Sequence, residues 1–130
     1  MKQATKTTAF VLSLLTGICL IYIGAHFLLS PQESEWQFGI HVSTSDASFH
    51  YIKGIRDLCY GLILCVLLFT REYRGLGWVL LLAVIIPAVD FSIVYMHPDH
   101  IPARLIAHAV AVVLCLLLGP YYLLTTSKTK

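Results

Sequence analysis

Four long apolar stretches, separated by short polar segments, make up most of the chain. Each stretch is close to the roughly 20 residues that a helix needs to cross a bilayer. The pattern therefore predicts an all-α, integral membrane bundle of four transmembrane helices, with one domain over residues 1–130. The predicted helices are 9–29, 47–71, 78–96 and 103–124.

Prolines mark one end and one interior position of these helices. Pro31 ends the first helix, because the residue before a proline disfavours the helical region. Pro87 lies inside the third helix and cannot donate a hydrogen bond to the carbonyl of Ala83. We therefore expect a kink just below Asp90.

The longest polar connection contains an alternating segment, residues 36–43, which has the period of an extended strand with one apolar face. Trp36 and Phe38 are the aromatic residues expected at headgroup depth. The segment could lie over the bundle as a lid, or it could be a plain interfacial loop. Ser45 or Asp46 then has the character of an N-cap for the second helix.

The first apolar stretch also has some features of a secretory signal peptide. It follows a basic start and contains the small residues Gly24 and Ala25. However, the apolar part of a signal peptide is about 7–15 residues long, and this stretch is longer. A first transmembrane helix is the better interpretation.

Composition agrees with a membrane protein, since 58% of the residues are hydrophobic and only 12% are charged. A soluble domain has about 25% charged residues. The net charge of +2 and the lack of a basic run exclude nucleic acid as a partner. The four cysteines all lie in apolar stretches without a C-x-x-C pair, and we interpret them as reduced core residues. They are Cys19, Cys59, Cys65 and Cys115.

The distribution of lysine and arginine predicts the orientation. Cytoplasmic segments of membrane proteins carry an excess of these residues. Here the excess lies at the N-terminus, in the turn at 71–74 and at the C-terminus. We therefore predict a multi-pass membrane protein with both termini in the cytoplasm.

One turn concentrates charge at the start of a membrane helix. Lys53, Arg56 and Asp57 come directly before an apolar run, 58–69, of only 12 residues. This run is too short to span a bilayer alone. The charged turn must therefore lie at or inside the hydrocarbon boundary, where charges normally face a protein interior or a water-filled cavity.

The other three helices bring ionisable residues to the same depth. At about 1.5 Å per residue, His26, Asp90, Arg104 and His108 lie roughly 2–9 Å below the outer helix ends. Arg104 and His108 share one face of the fourth helix, because they are four residues apart. The inner half of the bundle has no such residues, so the sequence predicts one polar layer in the outer half.

The charges in this layer balance. We expect Arg56 and Arg104 to pair with Asp57 and Asp90, since a neutral set is less costly to bury than an unpaired charge. Such pairs could simply fix the register of the helices. Alternatively, they belong to a functional site, which is the usual meaning of ionisable residues inside a membrane.

The functional interpretation is a pocket in the outer half of the bundle that binds a small hydrophobic molecule with a polar end. Asp57, Asp90 and His108 are the candidate catalytic residues for an acid–base isomerisation or hydrolysis, in which arginines would stabilise an oxyanion. The candidate ligand-binding residues are Arg56, Arg104, His26, Tyr22, Lys53 and Tyr60.

Two alternatives stay open. The protein could be a small proton-coupled transporter with Asp90 as the coupling carboxylate, although the apolar inner half counts against transport by a monomer. It could also be a non-catalytic accessory subunit of a membrane complex. The expected partners are membrane lipid and the small ligand, with a homo-oligomer or a membrane partner left open.

Histidines in the outer segments are a weaker candidate for a metal site. His97-Pro98-Asp99-His100 is a proline-bounded turn and lacks the helical H-E-x-x-H spacing. Solvated turn histidines explain it better, so we predict no metal and no cofactor.

The turn Lys-Gly-Ile-Arg-Asp-Leu at 53–58, followed by Gly61-Leu62, resembles a family of small four-helix membrane proteins from bacteria and fungi. That family is catalogued as a domain of unknown function. The resemblance covers most of the chain, including a long first outer loop, an acidic residue in the third helix and a histidine in the fourth. It implies the architecture and no reaction.

Overall fold

The structure of the protein is a computed structural model that describes residues 2–41 and 46–126. Within these residues the chain is all-α, as the sequence predicts. The helices are α1 (Lys2–Leu29), α2 (Pro31–Phe38), α3 (Ser48–Phe69), α4 (Tyr73–Ala83), α5 (Ile85–Met96) and α6 (Pro102–Thr125).

Three helical stretches are long and apolar enough to cross a membrane. They are Gln3–Leu29, the combined stretch Tyr73–Met96 and Pro102–Thr125. Their surfaces are apolar, with Leu82 64% and Leu124 85% exposed, whereas Asp57 and Asp90 are buried. Apolar side chains outside and charges inside are the arrangement that lipid favours. These features are those of a multi-pass membrane protein.

α1 and α3 pack against each other through glycines. Gly17 faces Gly61, and Gly24 faces Gly54, so the two helices run antiparallel. A Cβ at position 61 would lie 2.6 Å from the carbonyl oxygen of Gly17, which leaves no room for a side chain. Small residues of this kind let membrane helices approach closely. We call α1 and α3 the first helix pair.

α6 packs against the stretch that α4 and α5 form together. We call this stretch and α6 the second helix pair, with α4 and α5 counted as one interrupted helix. α4 ends at Ala83 and α5 begins at Ile85. The interruption falls at Val84, whose backbone angles stay helical, and it lies where the missing amide of Pro87 leaves the carbonyl of Ala83 without its helical donor. The predicted kink stays a prediction. The third predicted helix, 78–96, is therefore two helices that begin earlier, at Tyr73.

The two pairs meet at an apolar end and at a charged end. At the apolar end, the Ser13 hydroxyl of α1 shares a 3.1 Å hydrogen bond with the Tyr122 hydroxyl of α6. The buried residues around it form the main core: Ala9, Leu64, Leu68, Leu76, Leu80, Cys115, Leu118 and Tyr122. At the other end, a second cluster of Phe27, Phe38, Ile40 and Val94 packs beneath α2.

The extended segment predicted at 36–43 is wrong for residues 36–38, which belong to α2. Pro31 occupies the first turn of α2, where its missing amide is harmless. Gly39 ends the helix in a left-handed conformation, with φ of 110°. These two signals outweigh the alternation of apolar and polar residues, and residues 42–45 lie outside the described part.

α3 begins at Ser48, one residue later than predicted, and Ser45 lies outside the described residues. The carboxylate of Asp46 accepts hydrogen bonds from the Ser48 amide at 2.9 Å and the Ser48 hydroxyl at 2.6 Å. These bonds lower the pKa of Asp46. Asp46 therefore stabilises the start of α3, as an acidic residue at a helix N-terminus does.

Candidate functional site

A cavity of about 260 Å³ lies between the two helix pairs. Its size is close to the lower end of the roughly 300–1,000 Å³ that small-molecule pockets occupy. Side chains from all six helices line it. The apolar wall includes Leu20, Ile23, Leu64, Leu80, Ile86 and Cys115, and the polar wall includes Gln37, Lys53, Asp57, Asp90, Arg104 and His108.

The cavity is elongated and differs in polarity between its ends. Its lining residues extend over eleven helical steps on each of three helices, from 16 to 27, from 53 to 64 and from 104 to 115. Eleven helical steps correspond to roughly 16 Å. The charged lining residues lie at the end nearest α2, and the rest of the wall is almost entirely apolar. The cavity is therefore polar at one end and apolar along the rest of its length.

Four side chains form a closed charged cluster at the polar end. Lys53 Nζ donates to Asp57 Oδ2 at 2.7 Å and to Asp90 Oδ2 at 3.3 Å. Arg56 Nε donates to Asp57 Oδ1 at 3.0 Å, and its Nη2 donates to Asp90 Oδ2 at 2.8 Å. Each cation therefore bridges both carboxylates. Because Asp90 is on α5 and the others are on α3, the charged cluster joins the two helix pairs.

The observed ion pairs differ from the predicted ones in one residue. Arg56, Asp57 and Asp90 pair as expected, but Lys53 takes the place that was assigned to Arg104. Lys53 and Asp57 are four residues apart and so share one face of α3. Within the described residues Arg104 makes no ion pair, although it lines the cavity.

Aromatic rings complete the surroundings of the buried lysine. The ammonium of Lys53 lies 5.2 Å from the ring centre of Phe27 and 4.7 Å from that of Phe38. Cations at these distances are attracted to the electron-rich ring face. The rings come from α1 and α2, so Lys53 also ties those helices to the charged cluster.

His108, a candidate catalytic residue, lies at the cavity wall and bonds to α2. Its Nε2–H donates to the carbonyl oxygen of Phe38 at 3.0 Å, and the two rings meet edge to face with centres 5.0 Å apart. The bond fixes the proton on Nε2 in the neutral ring. His108 is thus part of the support of α2 as well as of the cavity wall.

Three candidate ligand-binding residues, Arg56, Tyr22 and His26, are not lining residues of the cavity, and Arg56 belongs instead to the charged cluster. Tyr22 is 60% exposed and packs against His26 on the outer face of α1. The Ser34 hydroxyl donates to the carbonyl of Ser30, so His26 Nδ1–H donates to Ser34 Oγ at 2.6 Å. His26 holds α2 and is not a lining residue. Tyr60 does line the cavity.

The structure adds a second polar cluster, built around a buried carboxylate, that the sequence analysis missed. Glu35, on α2, is only 3% exposed. His41 Nδ1 donates to its Oε1 at 2.5 Å, and His50 Nε2 donates to its Oε2 at 3.0 Å. The available signals were Pro31 and Gly39, which define a helix whose inward face carries Glu35.

Histidines therefore hold α2 over the polar end of the cavity from several directions. His26 reaches it from α1, His41 from the segment after it, His50 from α3 and His108 from α6. Phe38 of α2 lines the cavity. We call α2 with these four bonds the cap.

The charged residues do not form a metal site in the described part of the chain. Across residues 2–41 and 46–126, no three His, Cys, Asp or Glu side chains are placed to hold a metal ion. In the turn at 97–100, His100 Nδ1 instead donates to the backbone carbonyl of His97 at 2.9 Å.

A comparison with protein families agrees with the resemblance noted from the sequence. The profile of the family described as Domain of unknown function (DUF4267) matches residues 17–122. The chain belongs to this family. The matched range contains α2 to α5, most of α6 and the second half of α1 from residue 17, so every lining residue of the cavity except Thr16 lies within it. Neither a curated protein nor a solved structure matches the chain.

Proposed function

We propose that this member of the family binds a small hydrophobic molecule with a polar end in the cavity between the helix pairs. The observation that carries the proposal is the elongated cavity with the charged cluster at one end. The apolar part of the ligand would lie along the wall formed by Leu20, Leu64 and Cys115, and its polar end would lie beneath the cap.

The cost of burying charge supports a functional role for the polar end. Moving a carboxylate or an ammonium group out of water costs several kcal/mol even after relaxation. A bundle in lipid can pack on small residues alone, and Gly17 and Gly61 already provide such packing. The charged cluster therefore exceeds what helix packing requires.

Binding fits the geometry better than acid–base catalysis by the carboxylates. Asp57 is held by Lys53 and Arg56 through both of its oxygens, and Asp90 is held by the same two cations. Both oxygens of each carboxylate therefore accept hydrogen bonds from these two cations and are directed at them and not at a ligand. We therefore assign Asp57 and Asp90 the role of counterions that shape a polar binding end.

We also propose that α3 is the fourth membrane-crossing helix and that both termini face the cytoplasm. α3 has 22 residues, roughly 33 Å of helix, and it packs along α1 in the antiparallel direction. Its three charged residues, Lys53, Arg56 and Asp57, would be unfavourable in a helix that crosses lipid alone. Here they form ion pairs within the bundle. This topology places the cap and the polar end on the outer side.

Variants of α6 can test the binding proposal. Ala111 lines the cavity, whereas Ala109, half a turn away, is exposed and does not. Calorimetric titration of the purified protein in detergent, with 1-decanol as the probe, should show saturable binding. Ala111→Phe should remove this binding because the added ring fills the cavity, and Ala109→Phe should retain it.

The opposite outcomes are equally informative. Absence of saturable binding to the wild type, or equal binding by the Ala111→Phe and Ala109→Phe variants, would contradict the proposed use of the cavity. A thermal melt of both variants checks that they are folded.

A further inference from the structure

We propose that the ligand is an anion, specifically a monocarboxylate with an apolar tail, and that Arg104 binds its carboxylate. This inference rests on the proposed function and adds the chemical class of the ligand. It follows from the charges around the polar end, the placement of Arg104 and the further hydrogen-bond donors that line the same cavity.

The polar end has an excess of one positive charge. Within the charged cluster, Lys53 and Arg56 neutralise Asp57 and Asp90. Arg104 lines the same cavity and has no ion pair within the described residues. Arg104 is exposed, so it lies at the rim of the cavity, and an uncompensated charge there favours a ligand of opposite sign.

The nearest acidic residue of the cap does not supply this missing charge. The carboxylate of Glu35 is buried and accepts hydrogen bonds from His41 and His50. Glu35 is also absent from the cavity wall. Its oxygens are therefore directed toward the histidines of the cap, and the guanidinium of Arg104 is available to a ligand.

The position of Arg104 is fixed from both sides. Its amide donates to the carbonyl of Ile101 at 2.9 Å in the first turn of α6. Its stem packs against the end of α2, since a Cβ at position 39 would lie 2.8 Å from Arg104 Cβ. The Ile101 amide in turn donates to the Gly39 carbonyl at 3.0 Å. These contacts hold the backbone and Cβ of Arg104 in place at the cavity rim, and the guanidinium extends from there.

Further donors line the same cavity. Tyr60, which is half-buried, and Gln37, which is exposed, are lining residues that carry a hydroxyl and an amide as hydrogen-bond donors. A carboxylate can accept several hydrogen bonds and pairs with a guanidinium through two parallel ones. One carboxylate also matches the single excess charge, whereas a doubly charged phosphate would leave a charge uncompensated.

The test compares three probes with the same ten-carbon tail: decanoate, 1-decanol and decylammonium. Purified protein in detergent is titrated at about pH 8, where an alkyl carboxylate is ionised. Wild type should bind decanoate about tenfold or more tighter than 1-decanol, the gain expected from a charge-assisted hydrogen bond. Decylammonium should bind most weakly.

Variants assign the preference to one residue. Arg104→Gln should reduce decanoate binding to the level of 1-decanol, and Arg104→Lys should restore part of the preference because it keeps the charge without the planar fork. Arg74→Gln is the matched control, since it removes one arginine outside the cavity wall. It should leave the preference for decanoate unchanged.

The results separate this inference from the proposed function. If 1-decanol binds but decanoate binds no tighter, or if the preference persists in Arg104→Gln, the ligand is not an anion held by Arg104, while the binding function stands. If decylammonium binds tightest, the site prefers a cation, and the inferred charge of the ligand is wrong. If none of the three probes binds, the proposed function itself fails.

Discussion

At the scale of single residues, the charged cluster works as one unit. Lys53 and Arg56 each contact both Asp57 and Asp90. Removal of any one of the four side chains therefore leaves two oppositely charged partners, each with one ion pair fewer. Buried pairs contribute little relative to apolar residues but are costly to break. The cluster should consequently tolerate single substitutions far less well than the apolar residues around it do.

Asp90→Asn tests this dependence. Asp90 is only 6% exposed, and its loss leaves Lys53 and Arg56 sharing one carboxylate. We expect the free energy of unfolding to fall by about 3 kcal/mol, seen as a lower melting temperature in detergent. Asp99→Asn is the control, because Asp99 is exposed. An unchanged melting temperature for Asp90→Asn would show that the cluster does not stabilise the bundle.

The cluster also shows what the sequence could and could not predict at this scale. Helical rise correctly brought Arg56, Asp57 and Asp90 to one depth. It did not separate Lys53 from Arg104 as the second cation, because depth along a helix does not give direction around it. The four-residue spacing of Lys53 and Asp57 was the local signal that favours the observed pair.

At the scale of elements, the cap is a short helix held by side chains. α2 has eight residues, too few for a helix to be stable alone. Its stability comes from buried contacts, above all those of Glu35 with His41 and His50. The cap is therefore the element most sensitive to loss of a single polar contact.

Glu35→Gln is expected to loosen the cap selectively. Loss of the carboxylate weakens both histidine contacts, and the amides of residues 34–40 should exchange with deuterium roughly tenfold faster or more. Amides of α1 and α6 should exchange as before. Glu33→Gln, at a residue whose side chain is 77% exposed, is the matched control. Equal exchange in the two variants would show that Glu35 does not hold α2.

The cap was the element that the sequence predicted least well. In eight residues an alternating pattern and a helical pattern overlap, so periodicity alone does not decide between them. The ends of the long helices were predicted within a few residues, because their apolar length and proline positions leave little choice, but α1 and α4 begin earlier than predicted, at Lys2 and Tyr73. The tertiary contacts of the cap come from helices far apart in sequence, and periodicity does not reveal them.

The first helix pair depends on close backbone approach. A side chain at position 61 would meet the backbone of α1. Gly61→Ala should therefore lower the free energy of unfolding by about 1–3 kcal/mol, the usual cost of overpacking. Gly75→Ala is the control, since a Cβ there would lie an ordinary 3.6 Å from Leu67. Equal melting temperatures for the two variants would contradict this packing.

At the scale of the whole molecule, two helix pairs line a cavity whose two ends differ. Leucine packing and the Ser13–Tyr122 hydrogen bond lie at the apolar end. The charged cluster and the cap lie at the other end, where the lining residues Gln37 and Arg104 are exposed. The outer surface of the helices is apolar, so the protein places its polar groups inside and its apolar groups toward lipid.

The proposed topology places the two ends of the bundle on opposite sides of the membrane. In a variant whose four native cysteines are replaced, a single cysteine at position 46 should react with a membrane-impermeant maleimide in intact cells. A single cysteine at position 73 should react only after the membrane is opened. Reaction at 73 in intact cells would reverse the proposed orientation.

The most direct test of the central claim is an experimental structure of the protein in lipid nanodiscs with 1-decanol present. We predict density for the probe between the helix pairs, with its hydroxyl near Lys53 and Asp57 and its tail directed toward Leu64 and Cys115. The Ala111→Phe variant should show the added ring in place of the tail. A wild-type cavity filled by its own side chains, with the probe bound only on the outer helix faces, would contradict the account.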